Sequence, residues 1–155
     1  MLRISKLTDY ATLIMSHLAR DESLLWNASQ LADALGLNKP TVSKLLKLLS
    51  KAELVTSMRG ALGGYRLTRS SEQIHLSEVV HAIEGQVALT MCCEGAKQCR
   101  IDKTCTVKEN WRTINTIMSQ FLGKFTLKDM LSPIPFLDVA DKPQYDGGDV
   151  NTVVT

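Results

Sequence analysis

Residues 27–51 set the tightest limit on what this chain can fold into. Asn27 and Asn38 each precede an apolar run of helical spacing, and Gly36 lies between the two runs. Asparagine ahead of a helix accepts its first free backbone amides, and Gln30, three residues after Asn27, completes a capping-box pattern. Ala28, Leu31, Ala32 and Leu35 give the first helix a buried stripe. Gly36 ends it, because glycine takes the left-handed conformation at little cost. Asn38 then caps a second helix whose first turn holds Pro40, a place where a missing amide proton is harmless. Val42, Leu45, Leu46 and Leu49 face inward, while Lys44, Lys47 and Lys51 share the opposite face beside Thr41 and Ser43. Two short helices joined by a tight turn, the second one basic outside and apolar inside, make a helix-turn-helix whose second helix suits a DNA major groove.

The flanking segments extend that unit. Leu7, Tyr10, Ala11, Ile14 and Leu18 recur at helical spacing, which predicts an amphipathic helix over 5–20. Residues 55–59 and 65–68 read as two strands around a glycine-rich turn, with Arg59 and Arg66 at the shoulders. A basic hairpin beside a recognition helix is a wing. Its glycines suit close approach to a minor groove or phosphates, and they equally suit a plain hairpin loop. Leu76, Val79, Val80 and Ile83 predict a further helix ended by Gly85. His75 and His81 flank it without metal-ligand spacing, so both read as ordinary surface or packing histidines.

Charge supports the DNA reading. The chain's net charge is only +2, but residues 1–75 hold ten Lys/Arg against six Asp/Glu, and residues 76–155 hold eight against ten. Within 38–69 seven bases meet one acid, Glu53. At 155 residues and 45% hydrophobic, the chain is long enough to bury a core. No apolar run reaches the roughly 18 residues a membrane span requires, so a cytoplasmic protein is expected. No Ser/His/Asp, paired-carboxylate or phosphate-loop pattern is present, and an enzyme is not expected.

All four cysteines, Cys92, Cys93, Cys99 and Cys105, fall within one short stretch. Thiolates that gather in this way can converge on a soft metal centre. The Cys93-x5-Cys99-x5-Cys105 spacing lacks the paired knuckles of structural zinc sites and the tight run of bacterial ferredoxins. A thiol redox switch and plain structural cysteines stay open beside a metal or cluster site. After the cysteines, Val107, Trp111, Ile114, Met118 and Phe121 step by four and three, widened by Ile117 and Leu122. Such a seam over 106–123 suits pairing with a second copy, and a symmetric dimer suits a palindromic operator. A short helical turn is expected over 125–131. From Pro133 on, prolines, glycines and four acids against Lys142 predict a disordered tail.

The expected fold is mainly α with a small β-hairpin wing: a winged helix-turn-helix DNA-binding domain over 1–75, a cysteine loop and long dimerisation helix over 76–131, and an acidic tail over 132–155. The opening Met1-Leu2-Arg3-Ile4-Ser5-Lys6-Leu7-Thr8-Asp9-Tyr10-Ala11, the wing Arg59-Gly60-x-x-Gly63-Gly64-Tyr65, the segment Glu78-Val79-Val80-x-Ala82-Ile83-Glu84 and the three spaced cysteines resemble IscR- and NsrR-type winged-helix regulators. The resemblance covers about residues 1–131. The opening is most similar to the branch that controls the SUF system of iron–sulfur cluster assembly.

That resemblance implies a homodimeric cytoplasmic transcription regulator, a repressor, whose DNA affinity responds to an iron–sulfur cluster of two or four irons. The family's thiolate ligands fall on Cys93, Cys99 and Cys105. The fourth ligand of IscR-type members would be a histidine where this chain has Lys108. NsrR-type members use an aspartate of the partner subunit, and Asp9 occupies the matching place, with Cys92 as the alternative. Asp9 also suits a first-turn acid complementing a helix dipole. For DNA, the wing arginine matches at Arg59, while the base readers fall near Pro40, Ser43 and Lys44 and differ from the IscR-type residues. Lys44 and Thr41 are the candidates for bases, with Ser43 beside them; Lys39, Lys47 and Arg66 are the candidates for phosphates. A different class carries the same fold: a regulator without metal that senses by a reversible thiol reaction or through a partner protein.

Overall fold

Ser5 stands in extended conformation and its hydroxyl accepts the Thr8 amide at 3.3 Å, which starts helix α1, Lys6–Ala19. The structure, a computed structural model, describes residues 4–60, 63–93, 99, 101 and 103–135. Helix α2, Ala28–Leu35, has both halves of the capping box: Asn27 accepts the Ser29 and Gln30 amides at 3.0 Å, and Gln30 accepts the Asn27 amide at 2.9 Å. It ends at Gly36 with φ +65°. Helix α3, Lys39–Lys51, is capped by Asn38 on the Thr41 amide at 2.9 Å. Strands β1, Val55–Met58, and β2, Gly64–Leu67, pair antiparallel with Val55 opposite Leu67 and Met58 opposite Gly64. Helix α4, Leu76–Glu84, ends at Gly85, and helix α5, Lys108–Gly123, is followed by a 3-10 turn at Lys128–Leu131. The mainly α architecture with one hairpin is therefore as the periodicity predicts, with helix α5 starting two residues later.

One core serves helices α1 to α4. Ile14, Met15, Leu31, Leu45, Leu46, Leu49, Ile74, Val79 and Leu127 are fully buried in it. Each large aliphatic side chain sealed in this way contributes about 1.5–3 kcal/mol. Leu127 reaches the core because the chain after α5 turns back: the Leu127 amide donates to the Ile74 carbonyl at 2.7 Å, and the Leu76 amide to the Phe125 carbonyl at 2.8 Å.

The hairpin is held at its root by a contact the strand pattern does not reveal. Trp26 and Tyr65 exchange backbone hydrogen bonds at 3.1 and 2.9 Å, so the residue before the α2 cap acts as a third strand. Gly64 makes this possible. A Cβ there would stand 2.8–2.9 Å from the Trp26 backbone. The segment between the first and second helices is thereby tied to the wing, and α3, which the chain runs through between those two segments, packs on α1, α2, α4 and β1.

Helix α5 stands apart from that core. It packs on α4, and of its own residues only Gly123 is buried. Trp111, Ile114 and Ile117 are 39, 43 and 57% exposed, and Val107 and Phe121 are similarly open. Among the described residues no helix is long and apolar enough to cross a membrane. Of the acidic tail expected over 132–155, residues 132–135 are an exposed irregular stretch, and the remainder lies outside the described residues.

Candidate nucleic-acid interface and cysteine site

The apolar stripe of α3 fixes which of its side chains stay free. With Val42, Leu45, Leu46 and Leu49 inside, helical geometry leaves Lys39, Lys44, Lys47 and Lys51 exposed, and Thr41 and Ser43 half-buried beside them. Arg59 and Arg66 on the hairpin are exposed as well. None of these six bases has a carboxylate partner among the described ion pairs, so their charge is available to an anion. Arg69 differs: it pairs with Glu78 at 2.6 Å and braces the base of the wing against α4. The wing tip at 61–62 lies outside the described residues.

The cysteine segment is anchored to α5 by a residue the sequence pattern passes over. Asn115 accepts the Leu89 amide at 2.9 Å and donates to the Val87 carbonyl at 2.9 Å. Just beyond this strap the chain turns, with the Cys93 amide on the Thr90 carbonyl at 2.8 Å. The Thr90 hydroxyl lies 3.1 Å from the Cys92 sulfur and 3.3 Å from the Cys93 sulfur. Cys93 also donates to the Trp111 carbonyl at 3.6 Å, inside the first turns of α5. Cys92 and Cys93 are 8 and 9% exposed, whereas Cys99 and Cys105 are half-buried, and all four are free thiols. The loop residues at 94–98, 100 and 102 lie outside the described residues.

The fit of an iron–sulfur cluster can be judged on these donors. Cys105 precedes α5 by two residues and Cys93 touches its first turns at the Trp111 carbonyl, and the helix follows Val107 without a side-chain cap. Unsatisfied amides at a helix start carry partial positive charge, a setting that suits anionic sulfur donors. The donor set therefore fits in kind. Within one chain, however, no three His, Cys, Asp or Glu side chains among the described residues are gathered closely enough to hold a metal ion. Asp9 is exposed on the first turn of α1, free to meet something outside its own chain.

That turn of α1 has its own anchor. Glu84, the last residue of α4, accepts the Ser5 amide at 3.0 Å and the Thr8 hydroxyl through the same carboxylate oxygen. Hydrogen bonds from Ser5 and then Thr8 hold the Glu84 carboxyl below the usual glutamate range, against a smaller opposing effect of desolvation. Glu84 thus links the helix that carries Asp9 to the start of the segment that leads to the cysteines. No spacing rule points to it, since its partners lie far away in sequence.

A two-helix reader, a hairpin wing and a protruding apolar helix define a winged-helix transcription regulator. The comparisons agree. Residues 4–133 match the Rrf2 family, described as an iron-dependent transcriptional regulator. The chain belongs to that family. It is 33% identical over 118 residues to the HTH-type transcriptional regulator IscR of Sodalis glossinidius, covering 76% of this chain and 71% of the relative. Among solved structures it is similar to T. potens IscR, with 27% identity, a TM-score of 0.64 and coverage of 84% of this chain and 86% of the other. It is also similar to CymR (YrzC), the global cysteine regulator of B. subtilis, with 27% identity, a TM-score of 0.66 and coverage of 84 and 97%. The protein is a DNA-binding, IscR-like transcriptional regulator and not an enzyme.

Proposed function

We propose that the protein is a cytoplasmic homodimeric repressor of iron–sulfur cluster assembly genes that senses through an iron–sulfur cluster. Cys93, Cys99 and Cys105 would hold the cluster, with Asp9 of the second copy as fourth ligand and Cys92 as the alternative. The observation that carries this reading is the cysteine turn strapped by Asn115 to α5, the helix whose apolar face stays exposed among the described residues. A ligand set shared between the cysteine segment of one copy and α1 of the other would make the spacing of the two α3 helices depend on ligation. Half-site spacing on a palindrome converts such a shift into affinity. When bound, the cluster supplies a redox- and iron-responsive crosslink. The chain's own residues do the rest: Glu84 orients α1, Asn115 orients the cysteine turn, and α3 with the wing presents Thr41, Ser43 and Lys44 to bases and Lys39, Lys47, Arg59 and Arg66 to the DNA backbone and minor groove.

Replacing Cys93, Cys99 and Cys105 together by Ala, in protein purified without oxygen, tests the proposal. Iron, acid-labile sulfide and visible absorption should all vanish, and affinity for the promoter DNA of iron–sulfur cluster assembly genes should change. Unaltered iron and unaltered affinity would overturn it. A second reading, a thiol-sensing regulator without metal, is favoured by the similarity to the B. subtilis cysteine regulator and by the buried Cys92–Cys93 pair. Under it, anaerobic protein is colourless and DNA affinity follows thiol oxidation alone.

A further inference from the structure

Cys92 has no place in the favoured ligand set, yet the fold treats it as the twin of Cys93. Consecutive side chains of an extended strand point to opposite sides. Here the Thr90–Cys93 turn brings both sulfurs to one hydroxyl, at 3.1 and 3.3 Å from the Thr90 oxygen, and buries both to a similar degree. Two thiols that a tight turn brings to one hydroxyl are placed to bind one thiophilic centre together. Cys99 and Cys105 are more exposed and stand apart in sequence, so they meet single-thiol reagents more readily.

We propose that Cys92 and Cys93 form a dithiol site for trivalent arsenic compounds, which the cluster-free protein captures across the two sulfurs. With an aryl arsenoxide, each sulfur forms a bond to arsenic, the arsenic–oxygen bond breaks, and the oxygen leaves as water with both thiol protons. Arsenic stays trivalent and no electrons are transferred. The second sulfur attacks within the same molecule, and such linkage raises affinity by roughly a hundredfold or more over a single contact. On the reading that Cys93 is a cluster ligand, capture also competes with cluster assembly, and the regulator then treats a thiophilic poison as iron–sulfur deficiency. The dithiol itself does not depend on that reading.

The test uses reduced, cluster-free, full-length protein and phenylarsine oxide, followed by intact mass. The wild type and the Cys99→Ser/Cys105→Ser protein should each take up one equivalent, released by 2,3-dimercaptopropanol and resistant to a monothiol. Cys92→Ser and Cys93→Ser should each bind roughly a hundredfold more weakly, with thermal melts confirming that both fold. An adduct that survives Cys92→Ser but disappears in Cys99→Ser/Cys105→Ser would overturn the site, as would no adduct at all. A chain that binds the arsenical but never acquires visible absorption in iron and sulfide would retain the dithiol and lose the cluster reading. Bleaching of loaded wild-type protein by the arsenical is the expected sign of competition. Unchanged absorption in excess reagent would remove the competition.

Discussion

Glu53 takes a left-handed backbone conformation, φ +58°, the only non-glycine residue among those described to do so. It occupies the position after α3 where the chain must reverse, and its carbonyl accepts the Thr68 hydroxyl at 2.6 Å. An L-residue there costs about 1–2 kcal/mol, partly offset in a Glu53→Gly protein by glycine's greater freedom when unfolded. Glu53→Gly should therefore stabilise the fold by about 0.5–1 kcal/mol, read as a higher urea midpoint at constant slope. Gly64→Ala goes the other way. Its Cβ meets the backbone of Trp26, which cannot yield as a flexible side chain would, and a loss of about 1–3 kcal/mol is expected. Glu84 gives a pH signature. Its folded pKa lies below its unfolded value, so its contribution is present above the ordinary glutamate range and is lost as pH falls through the lowered folded value. The stability gap between wild type and Glu84→Gln, measured by urea titration, should be constant near neutrality and narrow below about pH 4.5. A gap that widens on acidification would contradict the assigned network.

At the scale of elements, what sequence discloses is whatever is settled locally. Asn27, Asn38, Gly36 and Gly85 mark helix ends because a cap is made with residues two to four positions away: α2 starts and stops, α3 starts and α4 stops where those residues stand. The Trp26–Tyr65 pairing, the Glu84 clamp and the Asn115 strap join distant segments through ordinary polar groups, and no periodicity encodes them. The cysteine segment is divided in the same way: its candidate donors are proposed from their spacing, while Thr90, which touches Cys92 and Cys93, and Asn115, which straps the preceding Val87–Leu89 stretch to α5, are not marked by any spacing. For α3 and the wing, the open bases make a quantitative test available. Lys47→Ala should weaken binding to all duplexes alike and flatten the dependence of log affinity on log salt by about one unit, as loss of one phosphate contact requires. Lys44→Ala should instead reduce discrimination among operator sequences, costing about 1–3 kcal/mol on the preferred one. Fluorescence anisotropy over a salt series distinguishes the two.

The molecule as a whole is closed on one side and open on the other. Helices α1 to α4 and the returning 125–127 segment complete one core, whereas α5 leaves Trp111, Ile114, Ile117 and Phe121 in solvent along one helix. An apolar stripe of this regularity favours a matching surface, and in the proposed homodimer a second copy would supply one through a two-fold axis. Ile114→Glu/Ile117→Glu changes two exposed side chains that are not among the buried core residues, so the fold should persist while the proposed pair separates. Sedimentation should give a monomer with an unchanged melt. Operator affinity should fall by roughly a hundredfold or more, because the second half-site is no longer reached by linkage. The same variant discriminates the fourth ligand. If Asp9 comes from the second copy, the monomer offers the cluster only three thiolates of its own chain, and its absorption and Mössbauer spectra depart from those of the dimer. If Cys92 completes the site, every donor lies in one cysteine segment, and the monomer keeps the dimer's spectra while losing its grip on the palindrome.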